Sequence, residues 1–579
     1  MPGLAGIVSA NPQDNIDSAL ARMTESLWHS DWYKREQFVT PQRTFGCAHV
    51  HLGILPAHNA PYRWLHGEES DGFTRIEYDP ATHILTITND PFGMMPLFYY
   101  HAANLLVFGT ELKAVLAHPA VTTRLDAPGL ADLLAFGFIL GEKTLVQKVK
   151  CLPGGSRLRF DARADRLGLE RTWDFRRQIG RGARKDLALL DEVAQRFKHA
   201  VAARSRGDLQ IGVSLSGGYD SRTIQAAIDH RQRVVKTLTL DVRGGADQII
   251  SEQIARVTNG VENHTFIENS NEFFERWPQY VREMVWLTDG QFFDEACVMM
   301  STLDKYHELG VHVALRGHGG EIARMQWAYE LTCNRLILAC KTQADLRAQL
   351  FRQMRCGLND PDFDTLLVPE LADAMRGCSQ ESMNNSFEGV DPMLHPVDQV
   401  TCIYVQEYLR RQSVPSLAEL RSRVEVRMPF LDSDYVATVL QLTPEARLGT
   451  GVHRHLLGQF NPALLKITNA NTGAPAGASD FTQRLYRKFN ASLKRHTGYE
   501  RFKHYVDMRG WLRGPLRPHV EAVLLDKRTL RRGVYRPDGV RGLIEDHMSG
   551  QADHGAALLL LLFLELWHRQ FVDGDSWRS

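Results

Sequence analysis

Gln210-Ile-Gly-Val-Ser-Leu-Ser216-Gly-Gly-Tyr-Asp-Ser221 decides how this chain is read. Residues 211–215 form a short apolar run of strand character and a helix begins at Ser221, so residues 216–221 make the turn between a strand and a helix. In an open α/β sheet such a turn lies at the carboxyl end of its strand, where ligands bind. Gly217 and Gly218 let backbone N–H groups approach an anion closely, the hydroxyls of Ser216 and Ser221 add donors, and the helix N-terminus favours a phosphate. Asp220 beside phosphates calls for a Mg2+ ion between them. The alternative is a plain tight turn made of two glycines and a serine, and the flanking sequence decides between the two.

Upstream of this turn Leu187, Leu190, Val193, Phe197 and Val201 recur at helical spacing; downstream, strand candidates at 234–240, 261–267 and 311–315 alternate with helical stretches. That rhythm implies an α/β fold with a parallel sheet covered by helices on both faces, and beyond about residue 330 the pattern is mostly helical. The first 110 residues differ: short alternating segments such as 84–90 and 96–100, separated by turn residues, read as β-rich. Helices are expected at 111–116 and 130–138. The basic, poorly periodic stretch 176–185 reads as a linker, which gives two domains, 1–178 and 186–579.

Lys and Arg total 68, as do Asp and Glu, so the basic excess of a polyanion-binding protein is missing and no nucleic-acid partner is expected. With 44% hydrophobic residues over 579 positions the chain can fill more than one core. The apolar stretch 556–564 stops at Glu565, short of the roughly 20 residues of a membrane span, and reads as a buried C-terminal helix. The Met1-Pro-Gly-Leu-Ala-Gly-Ile7 start has no basic segment ahead of an apolar run, which predicts a cytoplasmic protein without a membrane partner. Eight cysteines, at 47, 151, 297, 333, 340, 356, 378 and 402, lack metal-ligand spacing and predict reduced thiols without structural zinc.

Ser216-Gly-Gly-Tyr-Asp-Ser221 after a strand resembles the pyrophosphate-binding loop of the N-type ATP pyrophosphatases, and the surrounding chain resembles the asparagine synthetase B superfamily. The resemblance is carried in order by Asp90-Pro-Phe-Gly-Met-Met-Pro-Leu-Phe-Tyr-Tyr100, Gly109-Thr-Glu-Leu-Lys-Ala114, Leu152-Pro-Gly-Gly155, Arg316-Gly-His-Gly-Gly-Glu321, Glu425-Val-Arg-Met-Pro-Phe-Leu-Asp432 and Leu564-Glu-Leu-Trp567. It implies an N-terminal Ntn-type αββα sandwich, then an adenine-nucleotide α-hydrolase-like (PP-loop) domain with a helical C-terminal part, and ATP and Mg2+ as cofactors. By the same resemblance Ser216, Gly217, Gly218, Asp220 and Ser221 hold the pyrophosphate and one Mg2+, with Gly317 beside them. Glu321 takes the place of a second metal carboxylate, where the family has Asp. Leu240 and Asp241, with Leu238, fall at the adenine-ribose edge or form an ordinary strand end.

His318 holds the variable position of the Gly-Xaa-Gly stretch, where β-lactam synthetases carry Tyr. It is either the general base for an attacking amine or a hydrogen-bonding wall residue. Lys466, in the segment 465–477, matches a family Lys that stabilises charge during amide formation, or else flanks a surface loop. Arg427 reads as a brace of its own loop through carboxylate pairing. His453 and His455 have too few partners for a metal site.

Family members that take ammonia from glutamine expose Cys at position 2, a nucleophile whose own α-amine serves as base. Here Pro2 stands at that position, Cys47 lies inside a strand-like run, and His51 stands where glutaminases carry an Arg for the glutamine carboxylate. His49 and His51 read as plain strand residues. A sandwich without glutaminase activity is expected, so the amine must already be present. Within the resemblance, Gly317-His-Gly-Gly320 is closest to lasso peptide macrolactam cyclases. β-Lactam synthetases, ammonia-dependent or sugar-modifying relatives, and non-catalytic nucleotide binders are the alternatives. The expected partners are a peptide or small molecule carrying both a carboxylate and an amine, and a precursor-processing protease.

Overall fold

The computed structural model describes residues 2–11, 14–55, 59–69, 71–180, 186–231, 233–267, 271–292, 296–497, 502 and 506–578. Of the expected linker, residues 181–185 lie outside the described residues.

The N-terminal part contributes β1 (Leu4–Ser9), β2 (Lys34–Val39), β3 (Phe45–His51), β4 (Arg63–Gly67), β5 (Phe73–Asp79), β6 (Ile84–Asn89), β7 (Phe98–Ala102), β8 (Leu105–Gly109), β9 (Val149–Cys151), β10 (Ser156–Asp161) and β11 (Arg166–Arg171). They build two antiparallel sheets, ordered β2-β3-β1-β8-β7-β9 and β11-β10-β6-β5-β4. Period-two alternation explains the arrangement: along β6 every second side chain is buried. Leu4, Val8, Phe45 and Phe108 from one sheet meet Ile76, Ile87, Leu158 and Phe160 from the other in a shared apolar layer. Helices α1 (Ile16–Ser26) and α2 (Leu112–Leu116) cover the far side of the first sheet, whereas Thr86, Thr88, Arg157 and Arg159 turn outward from the second. Helix α3 (Ala127–Phe136) starts earlier than the sequence suggests because the Asp126 carboxylate caps the Gly129 N–H at 2.9 Å.

Helix α4 (Leu187–Arg204), with Leu189, Val193, Phe197 and Val201 buried, leads into the second part. There follow β12 (Ile211–Ser214), α5 (Asp220–Ala227), β13 (Val235–Asp241), α6 (Ala246–Arg256), β14 (Val261–Ile267), β15 (Val313–Leu315) and β16 (Glu425–Arg427). The sheet is parallel with order β14-β13-β12-β15-β16. Three residues suffice for β16, and inside a Pro-containing motif so short a strand shows no alternation to read. The chain runs outward from β12 to β14, then returns to lay β15 and β16 on the opposite side. The strand order therefore reverses beside β12, and an open α/β sheet places its ligand crevice at such a switch point.

Buried charges join the two parts. Lys113 Nζ lies 2.6 Å from Glu111 and 2.9 Å from Asp289, and Asp289 also accepts the Leu112 N–H at 2.6 Å. Arg204 pairs with Asp71, and Arg427 pairs with Glu68 at 2.6 Å while donating to the Arg204 carbonyl at 2.7 Å. Arg427 thus pairs with a carboxylate as expected, but across the seam to the N-terminal part rather than within its own loop. The C-terminal helix Gly555–Trp567 lies in the core as expected; with its continuation to Val572 it is long and apolar enough to cross a membrane, yet 72% of that window is buried in the fold.

Candidate functional site

The turn after β12 is held from within and from behind. The Ser216 N–H donates to Ser221 Oγ at 3.0 Å, the two hydroxyls lie 3.1 Å apart, and the Gly217 N–H donates to Asp247 of α6 at 2.8 Å. Behind it, the buried Arg222 guanidinium donates to the carbonyls of Leu464 (3.3 Å), Ile467 (3.1 Å), Gly217 (3.0 Å) and Thr468 (2.6 Å). The Tyr219 hydroxyl donates to the Ala476 carbonyl at 2.7 Å, and the Ala470 N–H to the Gly217 carbonyl at 3.1 Å. The segment 464–477 is therefore latched onto the back of the turn. On the opposite side a Cβ at Gly317 would come within 2.6 Å of Asp220 Cβ, and one at Gly320 would fall on the Asp220 carboxylate. Only glycine at these two positions lets the loop after β15 approach this closely.

Between the carboxyl ends of β12, β13 and β15 opens a cavity of about 350 Å³, within the range of small-molecule sites. Ser216, Ser221 and Asp220 line one side, Arg316, Gly317, His318 and Glu321 another, and Leu238, Leu240, Phe266 and Met299 supply an apolar wall. Hydroxyls at a helix start, facing apolar side chains, suit a nucleotide: polar donors for its phosphates and hydrophobic surface for its base.

The carboxylates expected to hold metal are already engaged. Arg324 Nε donates to Asp220 Oδ1 at 3.0 Å, its Nη2 reaches Asp220 Oδ2 and lies 3.0 Å from Glu321 Oε1, and its Nη1 donates to the Trp327 carbonyl at 3.2 Å. His453 Nε2 adds a hydrogen bond to Asp220 Oδ1 at 2.8 Å, and the Tyr404 hydroxyl donates to Glu321 Oε2 at 2.7 Å. Burial pushes the Asp220 carboxyl up, but Arg324 and His453 outweigh it and hold it well below the usual carboxylate range. Burial together with the nearby Asp220 charge raises Glu321 despite Arg324. A guanidinium bridges the two acids and every one of their oxygens accepts a hydrogen bond, so this pair does not fit a divalent ion. Among the described residues no group of three or more His, Cys, Asp or Glu side chains could hold a metal ion. The expected assignment of Asp220 and Glu321 as metal ligands is corrected on that ground.

Burial, then Arg316 and Arg421, lower His318 to about 3, and its buried Nδ1 has no hydrogen-bond partner among the described residues. At neutral pH it is an uncharged side chain in the cavity wall.

The structure gathers Ser216, Asp220, Ser221, Leu240, Gly317, His318 and Glu321 around the cavity. Gly217 and Gly218 shape the turn without lining that space. Asp241 accepts the N–H groups of Val242 at 2.8 Å and Gln248 at 2.9 Å in its own turn and does not line the cavity. Lys466 is exposed at the end of the 3-10 turn Pro462–Lys466 and does not line the cavity; its segment acts through backbone carbonyls that Arg222 grips. Sequence reasoning missed Arg324 and Tyr404, gave Arg316 no role of its own and set His453 aside. Arg324 stands three residues after Glu321, a spacing that signals an acid–base pair on a helical turn, but Tyr404 and His453 arrive from distant helices with no local mark.

A switch-point crevice with a Ser-Gly-Gly turn, joined to an antiparallel double sheet, defines a two-part enzyme that binds a nucleotide. The asparagine synthase family profile matches residues 192–465 and 484–569, and that of the glutamine amidotransferase domain matches 67–173. The chain belongs to the asparagine synthase family and is an ATP-dependent C–N ligase. Asparagine synthetase [glutamine-hydrolyzing] 1 of Bacillus subtilis (strain 168) is 20% identical over 525 residues, covering 86% of this chain and 77% of the relative. A putative asparagine synthetase [glutamine-hydrolyzing] of Mycobacterium bovis is 24% identical over 538 residues, covering 86% and 76%. Asparagine synthetase [glutamine-hydrolyzing] 3 of Bacillus subtilis is 29% identical over a shorter 155 residues, covering 27% and 25%.

Proposed function

We propose that this enzyme adenylates a substrate carboxylate with ATP, releasing pyrophosphate, and lets an amine of the same molecule attack the acyl-adenylate. The product is a lactam or isopeptide ring, formed without glutamine hydrolysis, and a lasso-type precursor peptide is the substrate of choice. The cleft at the switch point carries the reading. Ser216, Ser221 and the start of α5 take the pyrophosphate end, Leu238, Leu240 and Phe266 take the base, and Arg316 draws the anionic group of the acid. A carboxylate resists amines because oxide is its leaving group; adenylation replaces that with a phosphate monoester, whose charge the cleft's donors stabilise. Confining amine and acyl carbon together contributes several kcal/mol through effective molarity. With a pKa of about 3, His318 accepts a proton from an ammonium group only steeply uphill, which favours its role as a wall residue over that of a base.

Two further observations support the narrower reading. Cys47 is buried between the two N-terminal sheets with its thiol pushed well up by burial, the opposite of an activated nucleophile. The helix Asp480–Thr497 leaves Phe481, Leu485 and Phe489 exposed beside Arg484 and Arg487, and Arg487 lies 5.0 Å over the ring of Trp327, whose carbonyl accepts from Arg324. An apolar and basic strip of this length beside the cleft suits an acidic peptide better than a small molecule.

The test is substrate-dependent ATP–pyrophosphate exchange, followed by mass spectrometry for ATP-dependent loss of one water from a peptide bearing Asp or Glu at ring-closing distance. Exchange that survives Ser221→Ala and Asp220→Asn unchanged refutes the cleft assignment. A product that forms only with added ammonia, or release of ammonia from glutamine, refutes the intramolecular reading.

A further inference from the structure

Two acids in a nucleotide cleft ordinarily share a divalent ion, yet here a side chain of the same chain stands between them. Arg324 is anchored rather than incidental. It follows the 3-10 turn Gly320–Ala323 that carries Glu321, it is tied to the Trp327 carbonyl at 3.2 Å, and its side chain is 10% exposed. Its fork matches the two carboxylates in the manner guanidinium groups favour, using Nε and Nη2 on Asp220 and Nη2 again on Glu321. The outer oxygens are completed by His453 and Tyr404, the latter from the π-helical turn Tyr404–Ser413, so four separate elements converge on one closed charge cluster.

We infer that Arg324 is this enzyme's resident cation: it supplies between Asp220 and Glu321 the positive charge that a protein-bound divalent ion would bring. The inference rests on reading the cleft as a nucleotide site. Its consequence is a change in metal stoichiometry. Any divalent ion in the working complex is the one that travels on the nucleotide, and the protein adds none of its own. A guanidinium cannot leave or exchange, so the carboxylates keep one geometry whether or not nucleotide is present. Removing the guanidinium should expose a latent acidic pair that divalent ions can bridge.

The experiment uses Mn2+ as the probe, counted by electron paramagnetic resonance on the full-length protein. Without nucleotide, wild type should retain no Mn2+ at concentrations where Arg324→Met binds one ion, a difference of about tenfold or more in apparent Kd. Adding Asp220→Asn to Arg324→Met should abolish that ion. Arg324→Lys, which keeps a positive charge in place, should behave as wild type and guards against reading a folding defect as loss of a site. With a non-hydrolysable ATP analogue present, wild type should hold one Mn2+ per bound nucleotide and Arg324→Met two. A Mn2+ bound by nucleotide-free wild type and lost on Asp220→Asn overturns the inference, as does a count of two per nucleotide in wild type. Failure of the analogue to bind, measured separately by calorimetry, counts against the nucleotide site and leaves the nucleotide-free comparison to decide on Arg324.

Discussion

Replacing Arg222 with methionine should unlatch the segment 464–477 from the Ser216–Ser221 turn. The guanidinium is fully buried and donates to four main-chain carbonyls, three of them in that segment. Hydrogen bonds from a charged donor contribute about 1.5–3 kcal/mol each. Opposing them, burial pushes the guanidinium down to about 10, which at roughly 1.4 kcal/mol per pH unit sets about 3 kcal/mol against the charged form. The hydrogen bonds win by about 3–9 kcal/mol. Methionine fills similar space but leaves the carbonyls without donors in a place water does not reach. Differential scanning calorimetry should show the transition of the C-terminal part roughly 4–11 °C lower, and limited proteolysis should cut within 464–477. Nucleotide affinity should fall in parallel, because Ala470 and Ala476 no longer hold Gly217 and Tyr219. Arg222→Lys, with the charge but not the fork, should lie between the two. A methionine variant that melts within about 2 °C of wild type, with the segment still protected, would refute the latch.

His318→Gln should change the acid response: burial lowers His318 to about 3, so folded protein binds fewer protons than unfolded chain between there and about 6.5, and stability is full above that window and lost as pH falls through it. Urea melts at about pH 7.5 and pH 4.5 should show wild type losing about 2–3 kcal/mol more than the glutamine variant, and equal losses would contradict the buried neutral imidazole. Lys113→Met strands Glu111 and Asp289 in the seam between the two parts and should destabilise by about 3–5 kcal/mol, with Lys113→Met/Asp289→Asn recovering part of it in a double-mutant cycle. Lys466→Ala should leave ATP–pyrophosphate exchange within about twofold of wild type, whereas Ser221→Ala should lower it by about tenfold or more; a large loss at Lys466 would restore it to the chemistry.

How much of this was legible beforehand depends on distance along the chain. The turn at 216–221, the strands flanking it and the glycine loop at 317–320 are local patterns, and each lies where alternation and turn chemistry put it. Gly317 and Gly320 are explained only by the Asp220 side chain pressing on them, but their presence was visible. Two assignments took a residue type for a role, and the structure sets both side chains outside the cavity lining. Asp241 satisfies the amides of its own turn, and Lys466 marks a segment whose carbonyls, not its ammonium, do the work. Arg324, His453 and Tyr404 could not be placed from sequence, since convergence of side chains from positions 220, 321, 324, 404 and 453 is a property of packing. The three-residue β16 was hidden for a related reason: it is a strand only because β15 lies beside it.

The seam of buried charge between the two parts sets a limit on engineering. A protein chemist who trims the chain to its ligase half removes Glu111 and Lys113 from Asp289, Asp71 from Arg204, Glu68 from Arg427 and the Ile139 carbonyl from Arg411. The truncated surface would be a row of orphaned ions rather than a clean face, and it would aggregate or unfold. A minimal synthetase therefore has to be redesigned across that surface with neutral side chains, or else keep the N-terminal part as the partner of those charges.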